Sequence, residues 1–402
     1  MGERYDTVVV GGGIVGLATA RALRARHPER SLVVLEKESM VGAHQTGHNS
    51  GVVHSGVYYT PGSLKARMCL EGRVRLLEYA HSAGIATRTV GKLIVAVRPS
   101  ELEELPKLVA KARANGVGSV RAIEKAELVQ RLPGCAGLGA VEVPTAAITD
   151  YLQVAERLAS DLRATGADVR TDAPVTATRR ADRGWCLSTP TGEIGGRFVV
   201  NCAGLRADLL ARSMGVTPPV RIVPFRGDFY RLAERLKSQV PCLVYPVPDP
   251  NVPFLGVHLT PTVQGELLAG PNAALALARE GYRPGQWDLR EIGRWASFPG
   301  TVGLARVYGP IGAREWLRSW SPAEFLTAIR NLWPSVTRDD LGARTSGVRA
   351  QAVRPDGSME DDFVFVPDRG ALHVLNAPSP AATAAFAIAD RVADQVDGTP
   401  AG

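Results

Sequence analysis

Cysteine is scarce in this chain of 402 residues, and the five cysteines are far apart in sequence. No pair has the C-x-x-C spacing, and the count is odd. A disulfide framework or a zinc ribbon needs paired cysteines, so the sequence favours neither and is typical of a protein in a reducing compartment.

Long apolar runs and blocks of like charge are also missing. No stretch reaches 18 uninterrupted apolar residues, and the early run at 7–10 is too short for a secretory signal, so we expect no membrane span. The net charge is +7, yet no run of five Lys or Arg residues occurs and no basic stretch is interleaved with aromatic residues. Nucleic acid is therefore not an expected partner. We expect a cytoplasmic protein, with peripheral contact to the inner face of the membrane left open.

The remaining composition is that of a soluble globular protein, with 45% apolar and 22% charged residues, and its length suggests two or three domains. The clearest local pattern lies in the first 36 residues. A β-branched run at 5–10 and the run SLVVLE at 31–36 enclose an amphipathic helix. This order predicts a βαβ unit with buried parallel strands.

Gly11, Gly13 and Gly16 form a G-x-G-x-x-G turn between the first strand and the helix. The first glycine of such a turn allows the sharp bend, the second lets a pyrophosphate approach the backbone, and the third lets the helix pack closely on the strand. The helix N-terminus then presents free N–H groups to the phosphates. Glu36 follows Gly16 by 20 residues, where a carboxylate accepts both ribose hydroxyl protons. The unit is therefore predicted to bind a dinucleotide.

Two later segments favour FAD over NAD as that dinucleotide. FVVNCAG, which ends at Gly204, is a second strand-to-glycine turn before a helix, and LHVLNAPSPAATAA near the C-terminus also leads from a strand into a helix. A helix N-terminus of this kind can lie near the N1/C2=O edge of a flavin, where reduction places negative charge. A nicotinamide-binding domain would not need elements from both ends of the chain.

The rest of the chain predicts mixed α and β structure. We expect a helix over 101–115, with Pro106 marking a kink or a late start. Residues 220–270 alternate apolar and polar side chains among many prolines, which predicts an antiparallel sheet. Residues 285–345 are predicted to be mostly helical, and a last helix is predicted to begin at about Ala381.

A histidine-rich loop, HQTGHNSG at 44–51, follows the βαβ unit, and His44, His48 and His54 fall within eleven positions. His44 and His48 lack an acidic neighbour in this stretch. Metal sites of this kind need a closing carboxylate or cysteine, so no metal is expected. The place of the loop shortly after Glu36 predicts instead a segment that runs along the cofactor, with glycines that allow close backbone approach.

At this point the residues carry a family resemblance. VVVGGGIVGLATA, LEKE and VVNCAGLRADLLA resemble the glutathione-reductase-type FAD fold of the D-amino-acid oxidase superfamily. HQTGHNSGVVHSGVYYTPGSLKA, VPFRGDFYRL, YPVPDPNVPFLGVHLT, SGVRAQAVRPDG and NAPSPAATAA resemble the L-2-hydroxyglutarate oxidase/dehydrogenase family within it. The run AAFAIA after NAPSPAAT and the helical stretch 285–345 depart from the family pattern, which leaves room for a changed substrate.

The resemblance implies an α/β fold in which a Rossmann-like FAD-binding domain is interleaved with a mixed-sheet substrate domain. The FAD-binding domain would comprise 1–83, 145–215 and 346–402, and the substrate domain 84–144 and 216–345. Non-covalently bound FAD would oxidise an (S)-2-hydroxy acid, above all L-2-hydroxyglutarate to 2-oxoglutarate, by hydride transfer to the flavin N5. Oxygen or a quinone-linked carrier would then accept the electrons.

Oxidation of a 2-hydroxy acid removes a proton from oxygen and a hydride from C2, so the site needs a base near neutral pH. Histidine suits this role because its reference pKa is near 6.5. His54, in the loop after the second strand, and His258, in the run FLGVHLT of the middle sheet, are the candidates. We favour His258; a purely structural histidine is the alternative in each case.

The carboxylates of the substrate need cationic or hydroxyl partners. Arg226 and Arg349 lie in runs that match family motifs, and arginine can grip a carboxylate bidentately. Tyr58 and Lys65 are the other candidates. Because Tyr58 and Tyr59 are adjacent, only one of them can face the pocket in an extended segment. An ion pair without contact to substrate is the alternative for each arginine.

The resemblance also carries cofactor contacts onto the fingerprint, the histidine-rich loop and later turns. Val175 is expected to bind the adenine through backbone atoms, with an ordinary core valine as the alternative. The predicted cofactor residues are Gly11, Gly13, Gly16, Glu36, Lys37, Thr46, Asn49, Ser50, Gly51, Val175, Ala203, Gly204, Gly347, Asn376, Pro378, Ser379, Pro380 and Ala381.

Two other functions stay open from the sequence. An amine or amino-acid oxidase of the same superfamily would need one carboxylate clamp and no base that forms an alkoxide. A non-catalytic FAD-binding module would hold a flavin that no 2-hydroxy acid reduces.

Overall fold

The computed structural model describes residues 2–249 and 255–399. Part of the motif YPVPDPNVPFLGVHLT, residues 250–254, lies outside the described residues, as do Met1 and 400–402 at the ends of the predicted FAD-binding domain. The strands are β1 Glu3–Val10, β2 Leu32–Leu35, β3 Val52–Val53, β4 Thr87–Thr89, β5 Lys92–Ala96, β6 Arg121–Glu124, β7 Gly139–Val143, β8 Ala147–Thr149, β9 Asp168–Arg170, β10 Ala177–Ala181, β11 Gly184–Thr189, β12 Gly192–Asn201, β13 Arg221–Leu232, β14 Leu243–Pro246, β15 His258–Pro261, β16 Leu267–Gly270, β17 Ala274–Leu275, β18 Leu341–Val353, β19 Val364–Asp368 and β20 Ala371–Asn376.

Some helices begin at a side chain that accepts their first N–H groups. Ser63 accepts the N–H of Ala66 at the start of α2, and Asp150 accepts two N–H groups at the start of α6. The helices are α1 Ile14–Arg26, α2 Leu64–Ser82, α3 Pro99–Leu102, α4 Glu104–Ala114, α5 Lys125–Arg131, α6 Tyr151–Ala164, α7 Ala207–Ser213, α8 Glu234–Lys237, α9 Leu289–Ala296, α10 Pro299–Trp320, α11 Pro322–Arg330 and α12 Ala385–Gly398, with 3₁₀ turns at Gly204–Arg206 and Arg338–Asp340.

The first sheet carries the βαβ unit. Its strand order is β10-β11-β12-β1-β2-β9, with β20 paired to β12 and β19 to β20. The strands β12, β1, β2 and β9 run parallel, and β20 is parallel to β12. Helices α1, α2, α6 and α12 cover this sheet around a core that includes Val9, Leu17, Leu158 and Phe386. Full burial of one such side chain contributes roughly 1.5–3 kcal/mol.

The second sheet has the order β17-β13-β16-β15-β14-β5-β7-β6, and β18 pairs with β13. Most pairs are antiparallel, but β14 runs parallel to β5. A separate core lies between this sheet and the helices α5 and α11, with Trp333 fully buried in it. A small sheet of β3, β8 and β4 joins segments next to the first sheet. The predicted domain limits stay a prediction; β18, which crosses the limit at residue 346, lies wholly in the second sheet.

Local patterns predict these segments well except where distant pairing decides. The helix predicted over 101–115 is broken at Glu103 and resumes as α4 at Glu104, so Pro106 falls in the first turn, where a proline is tolerated and which fits a late start. The stretch 285–345, predicted to be mostly helical, ends as a strand, because β18 begins at Leu341 and pairs with β13. Strands within 220–270 pair antiparallel as predicted, but β14 also pairs in parallel with β5, which lies far away in the chain.

The last helix begins at Ala385, four residues after the predicted start. Residues 381–384 form turns, and the Thr383 hydroxyl in them bonds to the backbone N–H of His54 and to the hydroxyl of Tyr151. Within 2–249 and 255–399, no helix is both long and apolar enough to cross a membrane.

Candidate active site

The three fingerprint glycines differ in what surrounds them. Gly11 adopts φ +117°, and a Cβ placed on it would lie 2.3 Å from the carbonyl oxygen of Cys202. A Cβ on Gly16 would lie 2.0 Å from the carbonyl oxygen of Gly11, so α1 packs directly on the turn. Gly13 has an ordinary φ of −78°, and the nearest atom to its Cβ would be Thr46 Oγ1 at 3.4 Å. The protein therefore leaves room at the glycine where a pyrophosphate is expected to approach.

Glu36 lies buried directly after β2 and beside the fingerprint turn. Its Oε2 accepts the N–H of Gly12 at 2.7 Å, and its Oε1 accepts the N–H of Glu38 at 3.0 Å. An ionised carboxylate has about four acceptor positions. The two backbone bonds therefore fix the side chain and still leave acceptor positions for the ribose hydroxyls.

Thr46 and Asn49 organise the histidine-rich loop. The N–H of Ile14, in the first turn of α1, donates to Thr46 Oγ1 at 3.0 Å. The Asn49 amide donates to the Thr46 carbonyl at 2.6 Å, and its oxygen accepts the N–H of Gly51 at 2.8 Å. Asn49 thus holds the loop in shape, while Thr46 sits on its cofactor side.

A cavity of about 550 Å³ runs along this surface. It is a concave, partly apolar space of the size typical of cofactor sites. Predicted residues in its wall are Gly11, Gly13, Gly16, Glu36, Lys37, Thr46, Val175, Ala203, Gly204 and Ala381. Ala377, within the predicted turn Asn376–Ala381, also lines it. The sequence prediction missed His44, Gln45, Pro174, Leu205, Arg206, Glu280 and Ala382, which line it as well.

The other predicted cofactor residues lie outside the described lining of the cavity: Asn49, Ser50, Gly51, Gly347, Asn376, Pro378, Ser379 and Pro380. A Cβ on Gly347 would lie 2.3 Å from the carbonyl oxygen of His48, so this glycine lets the loop rest on β18. The Asn376 amide donates to two backbone carbonyls, and Ser379 Oγ lies 3.3 Å from His54 Nε2. Direct contact of these residues with the cofactor stays a prediction.

His44 has acidic neighbours that its place in the loop did not reveal. Its Nε2 lies 2.8 Å from Glu38 Oε1 and 4.0 Å from Glu280 Oε1, and its Nδ1 lies 2.7 Å from the Tyr282 hydroxyl. The sequence argument that His44 lacks a nearby carboxylate is therefore wrong. Lys37 Nζ also lies in this group, 2.7 Å from His44 Nε2 and 3.1 Å from Glu280. Its ammonium group offsets the acidic charges, and hydrogen bonds from Lys37 and His44 hold the pKa of Glu38 below its usual value.

A second group of predicted residues lies beside the cavity, next to the turn at 381–384. Thr383, directly after the cavity residue Ala382, accepts the N–H of His54 at 3.1 Å. Burial lowers the pKa of His54 well below its usual value, and four nearby basic groups lower it further. Together with His54 they form what we call the basic cluster: His54, Lys65, Lys92, His258 and Arg349.

His258 is the first residue of β15 and is 4% exposed. Its Nδ1 lies 2.9 Å from the carbonyl oxygen of Gly256. A carbonyl only accepts, so Nδ1 carries the proton and Nε2 keeps a lone pair. The ring stacks on Tyr245 with a centroid distance of 3.8 Å. Burial lowers the pKa of His258 to about 3, with Lys92 and Arg349 adding to the effect, so the ring is neutral at physiological pH.

Tyr58 faces the basic cluster. Its ring centroid lies 5.2 Å from Lys92 Nζ, and its buried hydroxyl has no hydrogen-bond partner within 2–249 and 255–399. Tyr59 instead lies beside Lys65, with 5.6 Å between the Lys65 Nζ and the ring centroid. Lys65 itself donates to Asp361 at 2.7 Å, and the Asp361 side chain is 81% exposed.

Arg226 is 4% exposed and already has an acidic partner. Its Nε donates to Asp228 Oδ1 at 3.0 Å, and the other oxygen of Asp228 accepts from Ser319 at 2.7 Å and pairs with Arg344. This buried network matches the structural alternative for Arg226, and its contact with substrate stays a prediction.

Replacing Arg226 with methionine is expected to lower the free energy of unfolding by about 3 kcal/mol, because Asp228 loses a buried partner. Arg344 remains beside Asp228 and keeps the loss at the lower end of the usual range. Urea unfolding of the holoenzyme measures it. Arg231→Met in the same strand is the matched control, since Arg231 forms an exposed pair with Glu266 and should cost less than about 1 kcal/mol. A raised KM with unchanged unfolding would instead support contact of Arg226 with substrate.

Sequence reasoning missed Lys92 and Tyr245. Both lie on the second sheet, on the neighbouring strands β5 and β14. The available signal was a lysine at the head of the otherwise apolar run KLIVAV, since lysine is almost never fully buried unless it is paired.

Comparison with known proteins places this geometry in a family. Residues 6–395 match the model of the DAO family, described as FAD dependent oxidoreductase. The mitochondrial L-2-hydroxyglutarate dehydrogenases of Nematostella vectensis and Homo sapiens are 43% and 42% identical, each over 98% of this chain and over 90% and 88% of their own. The L-2-hydroxyglutarate dehydrogenase of Indibacter alkaliphilus is 40% identical over 97% of this chain and 98% of its own. The chain belongs to the L-2-hydroxyglutarate dehydrogenase family of FAD-dependent oxidoreductases.

Solved structures of other oxidases share the fold of this oxidoreductase. The FAD-bound, dithionite-reduced L-alpha-glycerophosphate oxidase of Mycoplasma pneumoniae superposes with a TM-score of 0.81 at 20% identity, covering 98% of this chain and 95% of that one. The glycine oxidase of Geobacillus kaustophilus gives 0.75 at 20% identity, covering 99% and 95%. The predicted α/β fold class is confirmed, and FAD is the cofactor of this oxidoreductase.

Proposed function

We propose that this flavoenzyme oxidises an (S)-2-hydroxy dicarboxylate, L-2-hydroxyglutarate, to the 2-oxo acid 2-oxoglutarate. The observation that carries the proposal is the basic cluster, which adjoins the cofactor cavity through the contact of Thr383 with His54. The largest charge effects on His54 there come from basic side chains, Lys92, His258, Lys65 and Arg349, of which His258 is neutral at physiological pH. The names of the relatives that match nearly the whole chain support the same substrate.

The sign of this charge favours the hydroxy acid over an amine. A dianion gains from each buried positive group, because the effective dielectric constant is lower there than in water. The ammonium group of an amino-acid substrate would be repelled by the same groups. The amine oxidase alternative therefore fits this cluster less well.

The residues of the cluster have separate roles in this proposal. Arg349 holds a carboxylate of the substrate, and the neutral Nε2 of His258 accepts the proton of the C2 hydroxyl as a hydride leaves C2. A bound dianion favours the imidazolium, so it raises the pKa of His258 as the proton arrives. His54, 3.3 Å from Ser379, is the second candidate base.

The cavity residues would hold the cofactor along its length. Glu36 would accept from the ribose, the backbone of Val175 would contact the adenine, and Gly13 would admit the pyrophosphate at the N-terminus of α1. Bound FAD supplies the hydride acceptor, its N5 atom. Lys37, Arg206 and Glu280 would form the polar wall, since all three line the cavity.

Anaerobic mixing of the purified holoenzyme with substrate tests the proposal. L-2-hydroxyglutarate is expected to bleach the oxidised flavin absorbance in a single turnover, and its D enantiomer is the matched control. Bleaching by glycine, sarcosine or D-amino acids alone would support the amine oxidase alternative. A flavin that no compound of this panel reduces would support a non-catalytic module.

We further propose that the electrons pass to a quinone-linked acceptor at the cytoplasmic face of a membrane rather than to oxygen. Large apolar side chains are exposed along 287–320: Trp287, Leu289, Val302, Val307, Trp316, Leu317 and Trp320. Exposed arginines accompany them: Arg283, Arg290, Arg294, Arg306 and Arg314. Exposed aromatic and basic side chains along the same segment are typical of contact with anionic lipid.

Replacing Trp316, Leu317 and Trp320 together with alanine is expected to weaken binding to vesicles with anionic lipid at least tenfold, or about 1.4 kcal/mol. Co-sedimentation measures this, and binding of the unaltered protein should fall with added salt because salt screens the arginines. Val129→Ala, at another exposed apolar residue, is the control. Equal vesicle binding by all three proteins, together with rapid peroxide formation, would favour oxygen as the acceptor.

A further inference from the structure

Lys92 is a buried amine in the middle of the second sheet. Its side chain begins on β5, between the parallel partner Leu243 and the antiparallel partner Val143, and is 1% exposed. Lysine is almost never fully buried without a paired charge. Something other than packing must therefore account for the amine at this position.

The described residues offer Lys92 no hydrogen bond. Its Nζ has no partner atom within 2–249 and 255–399, although buried polar groups of native proteins nearly always have one. Its nearest groups are two aromatic rings, with centroid distances of 4.0 Å to Tyr245 and 5.2 Å to Tyr58. These ring faces attract a cation but leave the N–H donors unsatisfied.

The groups around Lys92 come from several elements and include no acidic side chain among the described residues that act on it. Cys69 of α2 is the one titratable group that raises its pKa, and burial lowers that pKa to about 7. The charge of Lys92 in turn lowers the pKa of His54 and of His258. The groups that act on Lys92 or on which it acts are therefore Cys69 of α2, His54 of the loop and His258 of β15, and the rings of Tyr58 and Tyr245 lie against it. Lys65 of α2 and Arg349 of β18 act on His54 as well.

Lys92 belongs to the site through these neighbours. Tyr245 contacts both the Lys92 ammonium group and the stacked ring of His258. A substrate near the Nε2 of His258 is therefore close to Lys92 as well. Because Tyr245 already contacts Lys92 and His258, the methylene groups of 2-hydroxyglutarate would pack on Tyr58, whose ring centroid lies 5.2 Å from Lys92 Nζ.

The geometry points to Lys92 as the residue that selects a dicarboxylate, its ammonium group binding the substrate carboxylate remote from the C2 hydroxyl. This assignment rests on the proposed function. Arg349 would bind the carboxylate at C1, where bidentate binding fixes the orientation of C2. Lys92, a point charge on a flexible stem, suits the distal carboxylate.

Binding is then coupled to one proton. In the empty site at pH 8 most Lys92 side chains are neutral amines, and a bound dianion raises the pKa of the amine, which takes up one proton from solvent. At pH 6 the amine is already protonated, so uptake by Lys92 is small. In the free enzyme kcat/KM for a dicarboxylate should fall as the pH rises through about 7, because the charged form is lost.

Lys92→Met removes the charge and keeps much of the volume. The oxidised holoenzyme is titrated at pH 8 with glutarate, an unreactive dicarboxylate, and with butyrate, its monocarboxylate counterpart. Calorimetry in buffers of different ionisation enthalpy measures proton uptake, and the flavin spectrum measures affinity. In the unaltered enzyme we expect uptake of nearly one proton with glutarate. In the variant we expect this uptake to vanish and glutarate affinity to fall about thirtyfold, with butyrate affinity changed less than threefold.

Lys107→Met is the matched control, because Lys107 is an exposed lysine paired with Glu104 and the substitution removes the same charge from the surface. Flavin content and urea unfolding establish that Lys92→Met is folded; if methionine prevents folding, Lys92→Gln replaces it. Unchanged proton uptake and an unchanged glutarate-to-butyrate ratio would overturn the assignment. So would an equal loss of kcat with both classes of 2-hydroxy acid and unaltered binding, which is the behaviour of a base.

The same titrations separate this inference from the proposed function. If L-2-hydroxyglutarate fails to reduce the flavin of the unaltered enzyme, the proposed substrate is wrong. If it reduces the flavin and Lys92→Met discriminates glutarate from butyrate as well as the unaltered enzyme does, only the role of Lys92 is wrong.

Discussion

Gly13→Ala is expected to give a folded protein that purifies with little flavin. The backbone at Gly13 has φ −78°, which alanine adopts freely, and the new Cβ would meet its nearest neighbour, Thr46 Oγ1, at 3.4 Å, an ordinary contact. The pyrophosphate of FAD is expected to occupy the space that this Cβ would enter. We expect the Kd for FAD to rise about a hundredfold, or about 2.7 kcal/mol.

Titration of the apoprotein with FAD measures this Kd, and the flavin-to-protein absorbance ratio checks it. Gly309→Ala is the control, because Gly309 lies in α10 with open space around its Cβ. Gly16→Ala is a contrasting variant: its Cβ would lie 2.0 Å from a backbone oxygen, so it should lose stability as well as flavin. Full flavin content in Gly13→Ala would show that the pyrophosphate does not bind at this position.

The parts of the fold that follow from nearby residues are the parts the sequence predicts well. β1, α1 and β2 occupy the predicted βαβ positions, since an apolar run, a glycine turn and an amphipathic helix are each local patterns. The parallel pairing of β14 with β5 depends on two segments about 150 residues apart, and no local pattern encodes it. The turn at 381–384 is likewise set by contacts of Thr383 with distant elements.

The candidate site divides in the same way. Sequence spacing alone predicts four of the cofactor residues, Gly11, Gly13, Gly16 and Glu36, and all four line the cavity. The basic cluster combines residues from five separated segments, and only the family resemblance pointed to four of its members. The sequence did not predict Lys92 as a site residue because a lysine at the start of a strand is usually solvated. Only the sheet register shows that it has a neighbouring strand on each side.

The network around His44 shows the limit of arguments from sequence neighbours. Glu38 lies six residues before His44, outside the loop, and Glu280 belongs to a distant segment of the chain. Both carboxylates nevertheless contact the His44 ring. Lys37 contacts the same three side chains. Charge balance in this part of the cavity wall is therefore a property of the folded chain rather than of the loop.

His258→Ala is expected to slow reduction of the flavin by L-2-hydroxyglutarate about 10² to 10⁴-fold while FAD stays bound, the usual contribution of a general base. The bond from Nδ1 to the Gly256 carbonyl leaves Nε2 as the acceptor, whereas the Nε2 of His54 lies 3.3 Å from the Ser379 hydroxyl. Burial keeps the pKa of His258 at about 3, so its base form persists as the pH falls to about 4, and kcat/KM should show no acid limb from this group above that pH. Single-turnover rates measure the first effect, and kcat/KM between about pH 5 and 9 measures the second, with His48→Ala, in the exposed loop, as the control. Flavin reduction in His54→Ala should be slowed less than in His258→Ala. Near-normal rates in both variants would show that neither histidine accepts the proton. A larger loss of rate in His54→Ala would instead identify His54 as the base.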